Sequence, residues 1–197
     1  MRALFIIPCV IMIGGENEDT NLERFFQLQH TIDSILSRFN EPEIRVYEIS
    51  GNPVHTHYIK ELSINCKVFT SENDDYVSDI KNSVKDIKFP TSEKARPFYE
   101  KGYIKNATES TLICKALSDI NPNDFDRIFK ITGRYFFNNE FVLDHHDIEG
   151  KITLSYKSKC PLGEKFTLTD YVIRCMYWSF CPTILEDVKD NFNRIKI

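Results

Sequence analysis

The sequence predicts an α/β protein: a mostly parallel central sheet covered by helices on both faces, followed by an antiparallel C-terminal extension. Two patterns carry that prediction. Over the first 131 residues, short β-rich apolar runs alternate with stretches whose apolar residues recur at helical spacing, as expected for strands joined by crossover helices. From residue 132 onward, runs with strand chemistry follow one another and only the end of the chain reads as a helix. Composition agrees: hydrophobic residues make up 42% of the 197 and aromatics 13%, enough for a sizeable core and too many for a disordered chain.

The elements follow in order. The apolar run Ala3–Ile13 reads as a buried first strand; Pro8 inside it and the lack of a small-residue cleavage site argue against a signal peptide. Gly14-Gly15 and the acidic Glu16–Asp19 turn the chain, and Thr20-x-x-Glu23 reads as a capping box. It opens a helix whose apolar stripe is Leu22, Phe25, Phe26, Ile32, Ile35, Leu36 and Phe39, stopped by Pro42. Ile44–Ile49 is the second strand, closed by the turn Ser50-Gly51-Asn52-Pro53. A short helix at His57–Leu62 and a third strand at Cys66–Phe69 come next. Tyr76, Ile80, Val84 and Ile87 form a second stripe, ended by Phe89-Pro90, and Thr91–Lys101 reads as a loop. Ile104, Ala107, Thr111, Cys114 and Leu117 make a third stripe, ended by Asn121-Pro122, and Phe125–Ile131 is the fourth strand. Ile152–Tyr156 and Phe166–Phe180 have strand chemistry. Pro182 suits the first turn of a last helix that turns Ile184, Leu185, Val188, Phe192 and Ile195 inward.

Several function classes are disfavoured. With 25 Lys and Arg against 29 Asp and Glu, the net charge is −4, a poor match to the basic field that nucleic-acid binding requires. No apolar run approaches the roughly 20 residues of a membrane span. The six cysteines, at 9, 66, 114, 160, 175 and 181, include no C-x-x-C pair. They read as free, mostly buried thiols in a reducing, cytoplasmic compartment, with disulfides or a metal site as the alternative. Gly14-Gly15 is not a dinucleotide fingerprint, and no phosphate-loop motif occurs.

Open α/β sheets bind ligands at the carboxyl ends of their strands. That rule selects Pro8–Gly15, Glu48–Asn52, Thr70–Asp75 and Lys130–Tyr135, and predicts one cleft lined by Pro8, Glu48, Ser50 and the Lys130–Arg134 segment. Lys130 and Arg134 are four apart, so in an extended chain they face the same side. Gly133 between them permits a bend or the close approach of a ligand. Two cations at a strand end suit a diphosphate, with Arg as the bidentate partner.

The chain resembles small glycosyltransferases of the GT-A type found in bacteria and in large DNA viruses. The resemblance rests on Phe26-Gln27-Leu28-Gln29-His30-Thr31-Ile32-Asp33-Ser34-Ile35, on Tyr47-Glu48-Ile49-Ser50, and on Ile128-Phe129-Lys130-Ile131-Thr132-Gly133-Arg134-Tyr135-Phe136. It spans roughly residues 3 to 140. It implies a GT-A-like (Rossmann-like) α/β/α sandwich forming one domain over 1–197, with 1–131 as the nucleotide-binding half and 132–197 as the acceptor-side half. It also implies a UDP- or GDP-sugar donor, a glycan or other hydroxyl acceptor, and Glu48 and Ser50 near the base and ribose. Its cellular setting would be the cytoplasm of a bacterium or of a virus-infected host cell. It leaves the oligomeric state open.

One departure from that family concerns metal. The family's Asp-x-Asp at the end of the fourth strand is replaced here by Ile131-Thr132-Gly133-Arg134, while the literal Asp124-Phe125-Asp126 precedes the strand and belongs at the opposite edge of the sheet. Lys130 and Arg134 can then stabilise the departing diphosphate without metal, while Mn²⁺ or Mg²⁺ stays possible: Glu72, Asp74 and Asp75 could bind either cation through oxygen or simply start a helix. His55-x-His57 lacks an evident third ligand. In an inverting transfer a carboxylate takes the acceptor's proton. Glu140, Asp144, Asp147 and Asp170 are available, and Asp144, after Phe141-Val142-Leu143, is the candidate. A non-catalytic nucleotide- or glycan-binding module of the same fold, or a sugar nucleotidyltransferase, are the alternative functions.

Overall fold

The computed structural model describes residues 1–12, 18–72, 75–88, 92–94, 96–146, 149–154, 157–159, 171–173 and 177–195. Four parallel strands form the centre of the sheet: β1 (Ala3–Cys9), β2 (Glu43–Glu48), β3 (Lys67–Thr70) and β4 (Arg127–Ile131). Two further strands, β5 (Ile152–Leu154) and β8 (Tyr177–Phe180), complete a six-stranded mixed sheet in the order β3-β2-β1-β4-β8-β5, with β8 antiparallel to both its neighbours. Two short strands, β6 (Lys157–Lys159) and β7 (Tyr171–Ile173), pair apart from it. The four segments expected to share a parallel sheet do so. The C-terminal extension joins the same sheet, because β8 pairs directly with β4.

Strand alternation divides the core between two faces. Phe5, Ile7 and Cys9 face α1 (Glu18–Leu36) and α2 (Thr56–Leu62), where Phe25, Leu28, Ile32, Ile35, Tyr58 and Leu62 are buried. Leu4 and Ile6 face α4 (Arg96–Ser118) and α5 (Leu185–Ile195) through Ile113, Leu117, Leu185 and Val188. With helices on both faces, β1 is buried at all seven positions, which explains its unbroken apolar run. On the first face Phe5 stacks on Phe129, with ring centroids 4.7 Å apart and planes 11° from parallel, and Phe39 meets the Phe5 ring edge-on at 4.7 Å.

Boundaries differ from expectation where a distant partner decides them. β1 stops at Cys9, not Ile13, because the Ile11 N–H turns to the Glu48 carboxylate at 3.1 Å. α1 begins at Glu18, which puts Thr20 inside its first turn and not at its cap. Ile13 and Gly14–Asn17 lie outside the described residues, as do Phe89–Thr91, Cys160 and Cys175. The largest correction is Thr91–Lys101. It was expected as a loop, yet α4 starts at Arg96, because Pro97 falls in the first helical turn, where its missing N–H forfeits no hydrogen bond. α3 (Tyr76–Ser83) is shorter than its stripe and tightens into a 3-10 turn at Val84–Asp86. A 3-10 turn at Pro182–Ile184 likewise precedes α5. Asp126 of the literal Asp-x-Asp accepts the Arg2 backbone N–H at 2.7 Å, at the amino end of the strands. Among the described residues no helix is long and apolar enough to cross a membrane.

Candidate ligand cleft

A cleft of about 420 Å³ opens at the carboxyl ends of β1, β2 and β4. Its position follows from strand order. The chain builds outward from β1 to β2 and β3 on one side and to β4 on the other, and such a reversal leaves a crevice between the loops. Pro8 and Cys9 end β1 on the floor; Ser50 and Asn52 come from the turn after β2; Thr132, Gly133 and Arg134 come from the segment after β4. α3 adds Val77 and Lys81, and α4 forms a wall with Lys101, Ile104, Lys105, Thr108 and Glu109.

Backbone geometry sets the floor. The Gly133 N–H donates to the Pro8 carbonyl at 3.2 Å, and the N–H groups of Arg134 and Tyr135 both donate to the Thr132 carbonyl. The chain therefore leaves the extended conformation at Thr132, and the parity that would have put Lys130 and Arg134 on one side no longer holds. Arg134 is exposed in the cleft wall. Lys130 is 1% exposed and lies behind that wall, its ammonium 2.5 Å from a Glu109 carboxylate oxygen and 3.2 Å from the Thr132 hydroxyl.

Glu48 is also displaced from its expected place. It is 0% exposed and accepts from the backbone N–H groups of Ile11 and Ser50 and from the Ser50 hydroxyl at 2.9 Å. It ties the loop after β1 to the turn after β2 from beneath the cleft. Burial raises its carboxyl above the ordinary range, against the pull of those hydrogen bonds. The turn continues from Ser50, whose hydroxyl accepts the Asn52 N–H, while the Asn52 amide donates to the Met12 carbonyl. Gly51 takes a positive φ of 70° there, which suits glycine. Asp144 is exposed on a 3-10 turn, Leu143–His146, and is not among the residues lining the cleft. Glu140 is exposed, and Asp147 and Asp170 lie outside the described residues.

Charge gives the cleft its chemical character. Arg24, Lys81, Lys101, Lys105 and Arg134 stand in its described lining, and the carboxylate there, Glu109, is engaged by Lys130. In a chain of net charge −4 this is a local concentration of positive charge, which draws an anion into a concave, partly apolar site. Thr108 adds a polar group. It is 3% exposed, and its hydroxyl has no hydrogen-bond partner. The expected set contained no α4 residue. Lys101, Lys105 and Thr108 stand at i, i+4 and i+7 on one helical face, a signal hidden by reading the first turns of α4 as a loop.

Among the described residues, the cleft lining offers a single carboxylate and no histidine to a divalent cation. Among the described residues no cluster of three or more His, Cys, Asp or Glu could hold a metal. Asp75 immediately precedes α3 and Glu72 is exposed just after β3; neither lines the cleft, and Asp74 lies outside the described residues. His55 and His57 are both exposed, their rings stacked 5.6 Å apart at the start of α2. Cys9, Cys66, Cys114 and Cys181 are not joined in disulfides.

No protein-family model matches the chain, and no curated protein matches it. Among solved structures it is similar to mouse xyloside xylosyltransferase 1 in its apo form, with 10% identity and a TM-score of 0.39, over 98% of this chain and 76% of that one. A likeness of that degree says nothing about chemistry, so function has to be read from the cleft's own residues.

Proposed function

We propose that the protein is a glycosyltransferase that takes its sugar from a nucleotide-diphosphate donor, a UDP- or GDP-sugar, held in this cleft, and passes it to a glycan or other hydroxyl acceptor. The observation that carries the reading is the set of cations around the crevice at the strand ends. Breaking the bond between sugar and diphosphate leaves negative charge on the departing phosphate oxygens. Cations lining the crevice stabilise that charge where they meet the departing phosphate oxygens more strongly in the transition state than in the bound donor. Arg134 would meet the phosphates through its planar fork. The backbone at Pro8 and Gly133 would form the floor, and Ser50 and Asn52 would face the nucleoside, with Ile49 and Val77 offering apolar contact to the base. Asp144 is the residue proposed to take the acceptor's proton.

One observation favours a second reading, a binding module without chemistry: the carboxylate in the described wall, Glu109, is committed to Lys130. Incubation of UDP- and GDP-sugars with a panel of glycan and other hydroxyl acceptors separates the two. A transferase forms the glycosylated acceptor (or, with water as acceptor, the free sugar) and releases nucleoside diphosphate, and Arg134→Ala and Asp144→Asn each slow the release. A binding module shows saturable binding of the same compounds with no release from the wild type.

A further inference from the structure

From α4 we infer that Lys101, Lys105 and Thr108 form the cleft's phosphate-binding wall, a diphosphate subsite that the crossover helix supplies opposite Arg134 of the strand end. Taking that diphosphate to be part of a nucleotide-sugar rests on the function proposed above; the subsite itself rests on geometry. Lys101, Lys105 and Thr108 occupy successive turns of one helical face, and all three line the cavity. Both lysines are exposed, so their ammonium groups are accessible to an anion that enters the cleft.

Thr108 is the independent observation. A hydroxyl buried to 3% exposure with no hydrogen-bond partner carries a standing desolvation cost, and such groups in native proteins call for an explanation. A threonine in a helix has a ready internal solution, donating to the carbonyl one turn back, as Thr31 does to the Gln27 carbonyl at 3.0 Å. Thr108 does not make that bond. A phosphate oxygen lying between the lysines and Thr108 would satisfy the hydroxyl and both charges together. The Glu109–Lys130 pair, one residue further along, neutralises the carboxylate that would otherwise repel such an anion from this wall.

The test is calorimetric titration with inorganic pyrophosphate, UDP, GDP and uridine. The variants are Lys101→Ala, Lys105→Ala, Thr108→Val and Thr108→Ser, each with an unfolding curve of the ligand-free protein. Wild type should bind pyrophosphate and at least one nucleoside diphosphate, and each lysine variant should weaken both by about tenfold. Thr108→Val keeps the shape and removes an unsatisfied hydroxyl, so its unfolding midpoint should stay level or rise while phosphate affinity falls; Thr108→Ser should restore affinity. Uridine, which has no phosphate, should bind all variants alike. Wild type that binds none of the phosphate probes, or variants that bind them as well as wild type, overturns the inference. If pyrophosphate binding depends on α4 and no sugar is released or transferred, the subsite stands and the transferase reading falls. If sugar is transferred and the α4 variants bind phosphate normally, the reverse holds.

Discussion

A Cβ atom placed on Gly133 would stand 2.9 Å from the Cβ of Cys9 and 3.0 Å from Cδ1 of Leu28. The segment after β4 is pressed against the end of β1 with no room for a side chain, and the hydrogen bond from Gly133 to the Pro8 carbonyl holds it there. The glycine is thus required by packing, and the contact fixes the height of the cleft floor. Gly133→Ala should cost about 1–3 kcal/mol, since the Cys9 Cβ moves only with its backbone and the Leu28 methyl, though a side-chain end, is fully buried in the core. Urea unfolding measures it. A midpoint equal to that of wild type would mean the loop relaxes freely and the floor is not set by this contact.

Arg134 stands at the rim of the same floor, exposed and in the cleft wall. Arg134→Ala should lower nucleoside-diphosphate affinity by about tenfold through the loss of one charge-assisted contact. Arg134→Lys keeps the charge but not the fork, so it should recover only part of that loss. Thermal unfolding of both should match wild type. The titrations belong in EDTA and in Mn²⁺ alike, because the described donor set gives the charge-neutralising role to cationic side chains. Wild-type turnover that vanishes in EDTA would transfer that role to a metal and make Glu72, Asp75 and Asp144 the next residues to change.

The fold was legible because it depends on periodicity. The apolar runs of β1, β2 and β4 and the stripes of α1 and α4 are local patterns, and a parallel sheet core with helices on both faces follows from their alternation. The site was legible only in part, because its details depend on partners far apart in sequence. Nothing near Val10–Met12 says that Glu48, 37 residues on, will draw the Ile11 N–H out of the ladder. Nothing near Lys130 says that Glu109, on another element, will claim its ammonium. The parity placing Lys130 beside Arg134 assumed an extended chain, and the turn at Thr132 broke it. The α4 wall was missed for a local reason: a proline near its start reads as a breaker unless the helix boundary is known to lie just before it.

His146 gives the protein an acid-sensitive joint. It is buried between Phe141 and Tyr177, with Nδ1 3.0 Å from the Ser179 hydroxyl. Burial first, then the positive charges of Arg127 and His145, pull its imidazole down from 6.5 to about 4. A base whose folded-state pKa is depressed contributes stability that is fully present above 6.5 and is lost as pH falls through the window toward about 4. Glu48 acts in the opposite sense, because burial raises its carboxyl and its contribution is greatest at low pH. The informative quantity is therefore the difference between wild type and His146→Gln in denaturant midpoint across that window. Wild type should lose stability faster than the variant as the solution is acidified. Parallel profiles would show that His146 takes up its proton without cost.

Lys130 and Glu109 decide whether the end of β4 is structure or binding surface. The lysine is buried, the carboxylate side chain is 19% exposed, and their charged atoms are 2.5 Å apart. Removing the Glu109 carboxylate takes a charged partner from a buried ammonium, and the Thr132 hydroxyl, 3.2 Å from it, replaces neither the charge nor the strength of a carboxylate. Glu109→Gln should therefore destabilise the protein by about 3 kcal/mol, in the range for breaking a buried pair. Lys130→Met alone should cost less, because Glu109 borders the cleft and can regain water. The double variant should lie within about 1 kcal/mol of wild type, since replacing both members of a buried pair is often close to neutral. The coupling in that double-mutant cycle is the number to measure. Strong coupling makes Lys130 an internal strut that seats Glu109 and, through it, the α4 wall. If the two changes simply add, the pair is not an energetic unit and Lys130 does not seat the α4 wall through Glu109.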